Sequence, residues 1–596
     1  MGREIINNLI TSGKQGKPWF HRYVVLSGQL IAGLFLYNQM KKEELDFDVP
    51  KSVDEINAFF QGISAHCGQS YAPAFALDAA ELKVIPEDEL ARLVTTLVTA
   101  HQQQLLNYQD LPQVFMDLLV GTKYHPVSVP DDLIELMIGL AGSKREDSVY
   151  CPFNSSFSLA LAAAEKSPSI YIELELVSIL PIICNILRSG ALKTVQGNPI
   201  TNPSWTEPGH LKSFNVGLAF PPLDARYQKD ELNDLYGRFS VASHYGDLLH
   251  INHIIAQCQK AVIAIPQSFL QRTTGNERLG KKSLLEKKCI KAVIALPALF
   301  SQSSIPPMAL LVIDKSREYG SINFIDGTNE YFIKRQLGRN SQRGKAFQLR
   351  NIETLIEQAG EAQSIKFARQ IPCSDIEANQ YNLQVSRYVL SNQQVKLQRV
   401  IDDTPSMPLS DIAHLTRAQA LKSITPEGQQ GVLLLEAMPV DFNEAGEVES
   451  PGKMITVNRG CERARQQRLK PGDILLVVKG QVGKVGLVSS ICGSNWVASQ
   501  AFIIIRLKDG GPVKDPVVLF RYLCSPVGQA LLDRIECTGK VPLLQTTDIQ
   551  RLPVPVMTEE QQRQVQRTHQ DIKKAYAEIR FLRDKAKGIN SEVWSL

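Results

Sequence analysis

Hydrophobic residues recur at helical spacing in the first part of the chain. Leu90, Leu93 and Leu97 stand at positions i, i+3 and i+7 among polar neighbours, which is the pattern of one buried helix face. Runs that suggest strands are sparse in this part of the sequence. We therefore predict a helical N-terminal domain over residues 1–108.

From residue 109 to residue 390 the pattern changes to short β-branched runs that alternate with amphipathic stretches. The clearest runs are 170–174, 261–265, 291–296, 310–314 and 322–326. Strands that alternate with helices are typical of an α/β sheet. The polar stretch 391–406 that follows is predicted to be a linker.

A second domain is predicted over residues 407–556, where short strands and turns dominate. Its short strand segments are 431–435, 473–478, 486–488 and 501–506. The Lys-Pro-Gly-Asp sequence before the second run predicts a tight turn that leads into a strand. This pattern favours a smaller α+β domain.

Residues 557–596 are predicted to form one long helix. Thr558 and Gln561 have the spacing of a capping box, in which each side chain bonds the backbone N–H of the other residue. Two series then repeat every seven residues, and we predict that they form the seam of a dimer helix: Val565, Ile572 and Ile579, and Thr568, Ala575 and Leu582. Thr568 and Ala575 are weak seam residues, so packing of the helix on its own domain stays an open alternative.

Composition excludes several classes of protein. Of the 596 residues 44% are hydrophobic and 21% are charged, and the net charge is only +4. Such a chain can bury sizeable cores and is neither disordered nor polybasic. Any surface for nucleic acid must therefore be local.

One local basic stretch lies in the second domain. Residues 459–484 hold seven basic residues against two acidic ones, a net charge of +5. We predict that the basic residues contact DNA phosphates: Arg459, Arg463, Arg465, Arg468, Lys470, Lys479 and Lys484. Gln466 or Gln467 could read adenine. A solvated basic loop is the open alternative.

Membrane, disulfide and metal functions are not expected. The apolar stretch 24–37 is too short to span a bilayer, no secretory cleavage pattern precedes it, and a cytoplasmic protein is predicted. The ten cysteines are scattered without a CxxC pair, which favours reduced thiols. His250 and His253 lie on one helix face without a third ligand nearby, so a polar face is preferred to a metal site.

Residues 110–390 hold the short motifs Tyr124–Val127, Ser148–Ser158 and Phe214–Leu223 in this order. This order resembles the modification subunit of type I DNA restriction-modification systems, the N6-adenine methyltransferases. Glu173, Asn185 and Gly190 match the family's ribose-binding acid and the asparagine and glycine that follow it. The other matching segments are 124–127, 148–158, 214–223, 261–266, 275–278, 284–286, 291–297, 322–327 and 382–388. The resemblance implies a Rossmann-like core that uses S-adenosylmethionine.

The departures from this family fall in its functional motifs. Cys151 and Pro152 stand where the family has an acid and proline, and Ser155 and Phe157 replace glycines that let the backbone touch the cofactor. The catalytic Asn-Pro-Pro-aromatic motif reads Phe220, Pro221, Pro222 and Leu223. The family's asparagine accepts an N6 hydrogen of an adenine flipped out of the duplex, and its aromatic residue stacks on that base. Phe220 has no acceptor for this hydrogen, and Leu223 has no aromatic ring to stack on the base.

Residues 407–596 hold the short motifs Met407–Ile412, Leu469–Leu475 and Leu552–Pro555, followed by the predicted long helix. This part of the chain resembles half of a type I specificity subunit, with one target-recognition domain and one spacer helix. The matching segments are 407–412, 469–475, 480, 483–484, 539–543, 552–555 and 560–561. We therefore predict a sequence-specific protein that binds double-stranded DNA, with a degenerate methyltransferase fold, in a DNA-defence complex active against phage. One reader recognises half of a bipartite site, so a homodimer or larger assembly with other restriction subunits is expected. An active adenine methyltransferase with divergent motifs and a non-catalytic scaffold remain alternatives.

Overall fold

The computed structural model divides the chain into two compact units, Met1–Val389 and Leu390–Leu596. It describes residues 8–9, 17–40, 45–77, 82–118, 129–175, 179–223, 225–241, 243–273, 275–300, 305–335, 347–362, 366–390, 401, 403–424, 431–537 and 543–593. The predicted linker 391–406 thus lies mostly outside the described residues. The division at residue 108 and the other domain limits stay predictions.

A nine-stranded sheet forms the centre of the first unit. Its strands are β1 (Val149–Pro152), β2 (Ile170–Leu174), β3 (Leu192–Gln196), β6 (Phe214–Ala219), β7 (Cys258–Pro266), β8 (Ile290–Ala295), β9 (Met308–Asp314), β10 (Ser321–Asp326) and β13 (Ala368–Pro372). Their order is β3-β2-β1-β6-β7-β9-β8-β10-β13, and β9 and β13 run antiparallel to their neighbours. All five strand runs that the sequence indicated in this unit lie in this sheet. Most residues of these strands are buried, because helices cover both faces of the sheet.

Two pairs of short strands lie outside the central sheet of this unit. They are β4 (Thr206–Glu207) with β5 (His210–Leu211), and β11 (Ile333–Arg335) with β12 (Phe347–Leu349). Both pairs are antiparallel.

Helices cover both faces of the large sheet. The helices of this unit are α1 (Phe20–Met40), α2 (Ile56–His66), α3 (Glu87–Gln102), α4 (Leu111–Leu118), α5 (Asp131–Ala141), α6 (Phe157–Ala163), α7 (Ile179–Leu187), α8 (Gly246–Gln257), α9 (Gln267–Gln271), α10 (Gly275–Glu286), α11 (Ile352–Gly360) and α12 (Cys373–Ala378). Helices α5, α6 and α11 share one hydrophobic layer with the sheet. Helices α8, α9, α10 and α12 share the layer on the opposite face.

The N-terminal helices form a third hydrophobic cluster, which includes Leu180, Ile183, Ile186 and Leu187 of α7. Leu90, Leu93 and Leu97 are all buried on α3, as their spacing predicts. The apolar stretch 24–37 lies within α1 and is largely buried in this cluster. No helix in the described part of the chain combines the length and the apolarity that crossing a bilayer requires.

The second unit is built from small sheets and short helices. Its strands are β14 (Ser406–Pro408), β15 (Ala413–Arg417), β16 (Gly431–Ala437), β17 (Glu447–Val448), β18 (Lys453–Asn458), β19 (Ile474–Val477), β20 (Val485–Val488), β21 (Trp496–Ala498), β22 (Phe502–Leu507), β23 (Glu536–Cys537), β24 (Leu543–Leu544) and β25 (Pro553–Pro555). A five-stranded sheet has the order β15-β22-β19-β20-β17, and a three-stranded sheet has the order β18-β16-β21. Strands β14 and β25 pair with each other, as do β23 and β24.

The helices of the second unit end with one that is far longer than the rest. They are α13 (Leu409–Ile412), α14 (Glu462–Gln466), α15 (Pro516–Cys524), α16 (Pro526–Ile535), α17 (Thr546–Gln550) and α18 (Glu559–Val593). The predicted capping box is confirmed, because Thr558 N–H donates to Gln561 Oε1 at 2.8 Å and Gln561 N–H donates to Thr558 Oγ1 at 3.3 Å.

Helix α18 changes its surroundings along its length. Gln562 and His569 are buried in its own unit, and Val565 packs against that unit's main hydrophobic cluster. Ile579 and Leu582, further along, are 41% and 55% exposed. The first half of the helix therefore packs on its own unit, as the alternative interpretation expected, and the second half leaves its apolar seam uncovered.

Candidate functional site

The order of the large sheet reverses between β1 and β6. The chain goes from β1 to β2 and β3 on one side, whereas β6 and β7 lie on the other side. In open α/β sheets, ligands bind at this switch point, outside the carboxyl ends of the strands. The segments that follow β1 and β6 here are residues 153–157 and 220–223, which include the predicted cofactor and catalytic motifs.

Hydrogen bonds join these two segments directly. The Ser155 hydroxyl donates to the backbone carbonyl of Phe220 at 2.5 Å, and the Phe220 N–H donates to Ser156 Oγ at 2.8 Å. Both serines are buried. Segments at these two positions flank the ligand when a switch point binds one. Here they are bound to each other through the backbone of residue 220.

The side chain of Phe220 belongs to the core. Val216 and Leu218 on β6 point into the hydrophobic layer formed with α5 and α6, and Phe220 continues this alternation into the same layer. Its ring lies 5.9 Å from that of Phe300, centre to centre. Leu223 is buried in the same cluster. Pro221 is buried, and Pro222 is exposed.

The cofactor-loop positions are also packed. Cys151 and Phe157 are buried in the same hydrophobic layer, and burial raises the pKa of the Cys151 thiol far above its ordinary value. Pro152 ends β1 and is buried.

Phe153 has an unusual backbone conformation in this loop. Its φ and ψ are 75° and 140°, a region that residues with a side chain rarely adopt. The ring packs edge-on to His250, with 5.0 Å between ring centres. The backbone at Phe153 thus has a conformation that favours glycine, although the residue carries a side chain that packs against His250.

Glu173, the predicted ribose ligand, is entirely enclosed. Its exposed fraction is 0%, the Tyr150 hydroxyl donates to Oε2 at 2.5 Å, and the Ser204 N–H donates to Oε1 at 2.6 Å. Burial raises the pKa of Glu173, although the two hydrogen bonds act in the opposite direction. Both carboxylate oxygens are therefore engaged by the protein itself.

A chain of hydrogen bonds continues from Tyr150. Arg238 Nη1 lies 2.9 Å from His253 Nδ1, and His253 Nε2 lies 3.0 Å from the Tyr150 hydroxyl. A guanidinium only donates, so Nδ1 accepts and the proton of the neutral ring is on Nε2. Burial, with Arg238 nearby, holds the pKa of His253 well below its usual value. Donation therefore runs from Arg238 through His253 and Tyr150 to Glu173.

Arg238 is itself held by the protein. Its guanidinium donates to the carbonyls of Pro199 and Ile200, both at 2.7 Å, and to Asp234 Oδ1 at 3.0 Å. Sequence reasoning missed Tyr150, Ser156, Ser204 and Arg238. Helical spacing singled out His253, but nothing local marks Arg238, which is 15 residues from His253.

The predicted polar helix face at His250 and His253 is buried and is not exposed to solvent. Both rings are completely buried, because α8 is packed against the sheet on one face and against loops elsewhere. His250 Nε2 lies 3.0 Å from the Tyr227 hydroxyl, and burial lowers the pKa of His250 to about 3. Within the described residues, no group of three or more His, Cys, Asp or Glu side chains is placed to hold a metal ion.

Two of the remaining motif positions shape a turn, and one segment lies outside the described residues. Asn185 Oδ1 accepts the Leu192 N–H at 2.9 Å, and Gly190 has φ +81°, so both residues shape the turn between α7 and β3. The predicted segment 124–127 lies outside the described residues.

One long segment of the chain matches a known protein family. Residues 123–396 match the family model described as N-6 DNA Methylase. The match includes the whole nine-stranded sheet and both segments at its switch point.

Three known proteins are similar to this chain. The type I restriction enzyme MpnII methylase subunit of Mycoplasma pneumoniae is 26% identical over 293 residues, 44% of this chain and 52% of that protein. The chain thus covers about half the length of this curated relative. The type I methyltransferase subunit of Streptococcus thermophilus shares the fold at a TM-score of 0.50 and 20% identity, over 65% of this chain and 99% of that one. A modification subunit of Vibrio vulnificus gives a TM-score of 0.45 at 12% identity, over 63% and 93%.

The segment that matches the N-6 DNA Methylase model ends before the predicted DNA-binding surface. There, all seven predicted basic residues are exposed. Arg465 forms a two-bond ion pair with Glu462, with both distances 2.8 Å, and Lys484 Nζ donates to the Pro439 carbonyl at 2.9 Å. Asp473, one of the two acids in the stretch, is buried and bound by Arg506. The exposed part of the stretch is therefore more basic than its sequence suggests.

One of the two glutamines is not available to read a base. Gln467 is buried, its amide nitrogen donates to the carbonyls of Gln419 and Ala498, and its oxygen accepts the Gln419 N–H. Gln466 is exposed. The prediction that residue 467 contacts adenine is therefore wrong, because this side chain holds two backbone segments together. The DNA role of the basic residues stays a prediction.

Proposed function

We propose that this protein is a sequence-specific DNA-binding member of the type I modification lineage in which the N-6 DNA methylase domain no longer transfers methyl groups. The domain serves as a structural part of a DNA-defence complex, and the second unit reads DNA. The lineage rests on the family match and on the M. pneumoniae methylase subunit. The loss of catalysis rests on the contacts at the switch point.

One observation carries this proposal, the hydrogen bonding of Ser155 and Ser156 to the backbone of Phe220. S-adenosylmethionine would have to lie between the segments that these bonds join. The family's ribose-binding acid is Glu173 here, which is enclosed and engaged at both oxygens. As arranged, these residues do not fit the cofactor, and we derive no reaction step through it.

The adenine side of the site supports the same conclusion. Methyl transfer to N6 needs an acceptor for the amino hydrogens, and the phenyl ring of residue 220 has none and lies in the core. Loss of one polar group from a preorganised site costs about 10² to 10³ in rate, or roughly 3 to 4 kcal/mol. Loss of an aromatic residue that stacks on a base costs about 1 to 3 kcal/mol. The missing acceptor at residue 220 and the missing aromatic ring at residue 223 both weaken methyl transfer to the same adenine.

Calorimetry with S-adenosylmethionine tests the cofactor side. We expect no binding heat for the wild-type chain. A Ser155→Gly, Phe157→Gly double variant is the matched control, because it removes the Ser155 bond and restores both glycines. Saturable heat with the wild-type chain would overturn the proposal.

An active adenine-specific enzyme with divergent motifs is the second candidate, favoured by the sequence match over 274 residues, 123–396. A methyl-transfer assay with labelled cofactor, on DNA from a strain that lacks this gene, separates the two. N6-methyladenine in the product would establish the second candidate. Absence of label together with retained DNA binding supports the first.

The DNA-reading role is assigned to the exposed basic residues of the second unit. Replacing Arg463, Arg465 and Arg468 with alanine should weaken DNA binding and flatten its dependence on salt, because fewer counterions are released. The matched control removes three exposed basic residues of the first unit, Lys144, Arg145 and Arg369. An unchanged salt slope in the first variant would contradict the assignment. No DNA binding by the wild-type chain would favour a pure scaffold.

We assign the exposed half of α18 to pairing with a second copy, which brings two readers together. Gln562, Val565 and His569 pack on their own unit, so a truncation must keep them. A chain that ends after Lys574 retains these residues and loses the exposed seam. We expect sedimentation to show a dimer for the full chain and a monomer for the truncated one. A truncated chain that remains dimeric would exclude this half of the helix as the main contact.

A further inference from the structure

Strands β16 and β18 of the second unit form an antiparallel ribbon that extends beyond the rest of their sheet. The two strands pair along the whole of β16 except its last residue. Strand β21 pairs with β16 only at residues 435–437. Residues 431–434 and 455–458 therefore continue past β21 as two paired strands, and we call β16 and β18 together the β16–β18 ribbon.

One face of the β16–β18 ribbon is buried. Leu434 of β16 and both Ile455 and Val457 of β18 belong to a small hydrophobic cluster. Ala464 of α14 belongs to the same cluster, so that helix packs against this face. The packing fixes which face of the ribbon is directed away from its own unit.

The opposite face carries two large apolar side chains in solvent. Leu433 and Met454 are 53% and 67% exposed, although both lie in strands. Leu433 is directly opposite Thr456, and Met454 is two residues before Thr456 on the same face. Leu433 and Met454 are thus diagonal neighbours, which lie about 7–8 Å apart in an antiparallel pair.

Exposed basic residues surround the β16–β18 ribbon. Arg459 directly follows β18, and Arg463 lies on α14 behind the buried face. Lys422 is two residues before Ile424, whose N–H donates to the Thr456 carbonyl at 2.9 Å. An apolar pair surrounded by cations is complementary to a groove with phosphates along its edges and apolar groups within it. The major groove of DNA has this arrangement.

We infer that the open face of the β16–β18 ribbon enters the major groove of DNA, where Leu433 and Met454 contact the methyl groups of thymine. This inference rests on the proposed DNA-reading role of the second unit and assigns the residues that give it base specificity. The major groove is about 12 Å wide and admits a two-stranded ribbon. Thymine presents its C5-methyl group there, and apolar side chains recognise that group.

The spacing of the two side chains sets what they recognise. Base pairs follow each other at about 3.4 Å along the DNA axis. The diagonal distance of about 7–8 Å between Leu433 and Met454 corresponds to about two such steps. We therefore expect the two side chains to contact methyl groups that are about two base pairs apart.

The apolar pair and the basic residues have separate roles in this assignment. Contacts from arginine and lysine to phosphates supply affinity that depends on salt and carry no sequence information. Leu433 and Met454 are uncharged, so they contribute to specificity without changing the number of counterions released. Specificity and salt dependence should therefore be lost independently, each with its own set of substitutions.

A thymine-to-uracil scan tests the assignment with the full-length chain. The preferred sequence is first selected from random double-stranded DNA, and each of its thymines is then replaced in turn with uracil, which removes only the methyl group. We expect two positions, about two base pairs apart, at which the wild-type chain loses about fourfold in affinity. A selected sequence without such positions would overturn the inference.

The double variant Leu433→Ala, Met454→Ala completes the test. Its affinity for the selected sequence should fall about tenfold, whereas its affinity for random DNA and its salt dependence should not change, because no charge is lost. Uracil at the two sensitive positions should then cost this variant nothing more. An equal uracil penalty in the variant and in wild type would show that other residues read the methyl groups.

The matched control removes an exposed apolar side chain elsewhere in the second unit. Val556 is 47% exposed and lies outside the β16–β18 ribbon. Val556→Ala should bind the selected sequence as wild type does and should keep the full uracil penalty. Equal losses in the control and in the double variant would contradict a specific role for the ribbon.

The inference and the proposed function fail in different ways. A wild-type chain that binds no DNA rejects the reading role of the second unit. A chain that selects one sequence, and binds it equally well after Leu433 and Met454 are replaced, rejects only the assignment to the ribbon. The open apolar face would then belong to a protein partner.

Discussion

The side-chain oxygen of Ser156 accepts the backbone N–H of Phe220 at 2.8 Å, although the two residues are 64 positions apart in the chain. Both are buried. Ser156→Ala leaves this N–H without an acceptor inside the protein, which costs about 1 to 3 kcal/mol. Urea unfolding measures the loss. Ser70→Ala, at an exposed turn, is the control and should change the free energy of unfolding little. Equal stability of the two variants would show that the Phe220 N–H does not depend on Ser156.

The backbone at Phe153 gives a second prediction. At most positions alanine is more stabilising than glycine, but at φ 75° the alanine Cβ is strained. We therefore expect Phe153→Gly to be more stable than Phe153→Ala by about 1 kcal/mol. Both variants lose the ring contact with His250, so the comparison isolates the backbone. Thermal unfolding of the two variants tests this prediction. An alanine variant as stable as the glycine variant would contradict a strained backbone.

The buried histidines predict sensitivity to acid. The pKa values of His250 and His253 are depressed in the folded chain, so the unfolded chain binds more protons below pH 6.5. Stability is then lost as the pH falls, by about 1.4 kcal/mol per pH unit for each histidine. His250→Gln removes one of the two contributions. Urea midpoints between pH 7 and pH 5 should fall less steeply in this variant than in wild type, and parallel curves would refute the assignment.

Glu173 predicts a dependence of the opposite sign. Its pKa is raised on folding, so its contribution to stability is present at low pH and is lost as the pH rises through the folded-state value. Glu173→Gln keeps the shape of the protonated side chain and does not titrate. The free energy of unfolding of wild type, relative to this variant, should decrease as the pH rises above 4.5. A constant difference across that range would contradict the raised pKa.

The sequence predicts much of the fold because burial leaves a local signal. The apolar runs of β7, β8 and β9 are nearly continuous, and the start of α18 is marked by its capping box. Motif order also places Glu173 and Phe220 at strand ends. Those signals depend on neighbours in the chain or on the period of one element.

The contacts that close the switch point have no such signal. Ser155 and Phe220 are 65 residues apart, and Tyr150 and His253 are 103 residues apart. The serines differ visibly from the family's glycines, but their partners follow only from the packing of the sheet. Likewise, the heptads of α18 do not reveal where its apolar seam becomes exposed, because that depends on the position of α15.

Under the proposed loss of methyl transfer, the place of the Phe220 ring in the core determines what single substitutions could restore. Restoring asparagine at position 220 alone would bury an amide among apolar side chains, because strand alternation directs residue 220 into that layer. The serine bonds and the enclosed Glu173 would remain. If methyl transfer is lost as proposed, we expect each of these substitutions on its own to lower stability without restoring catalysis, so that a working site would require several coordinated changes.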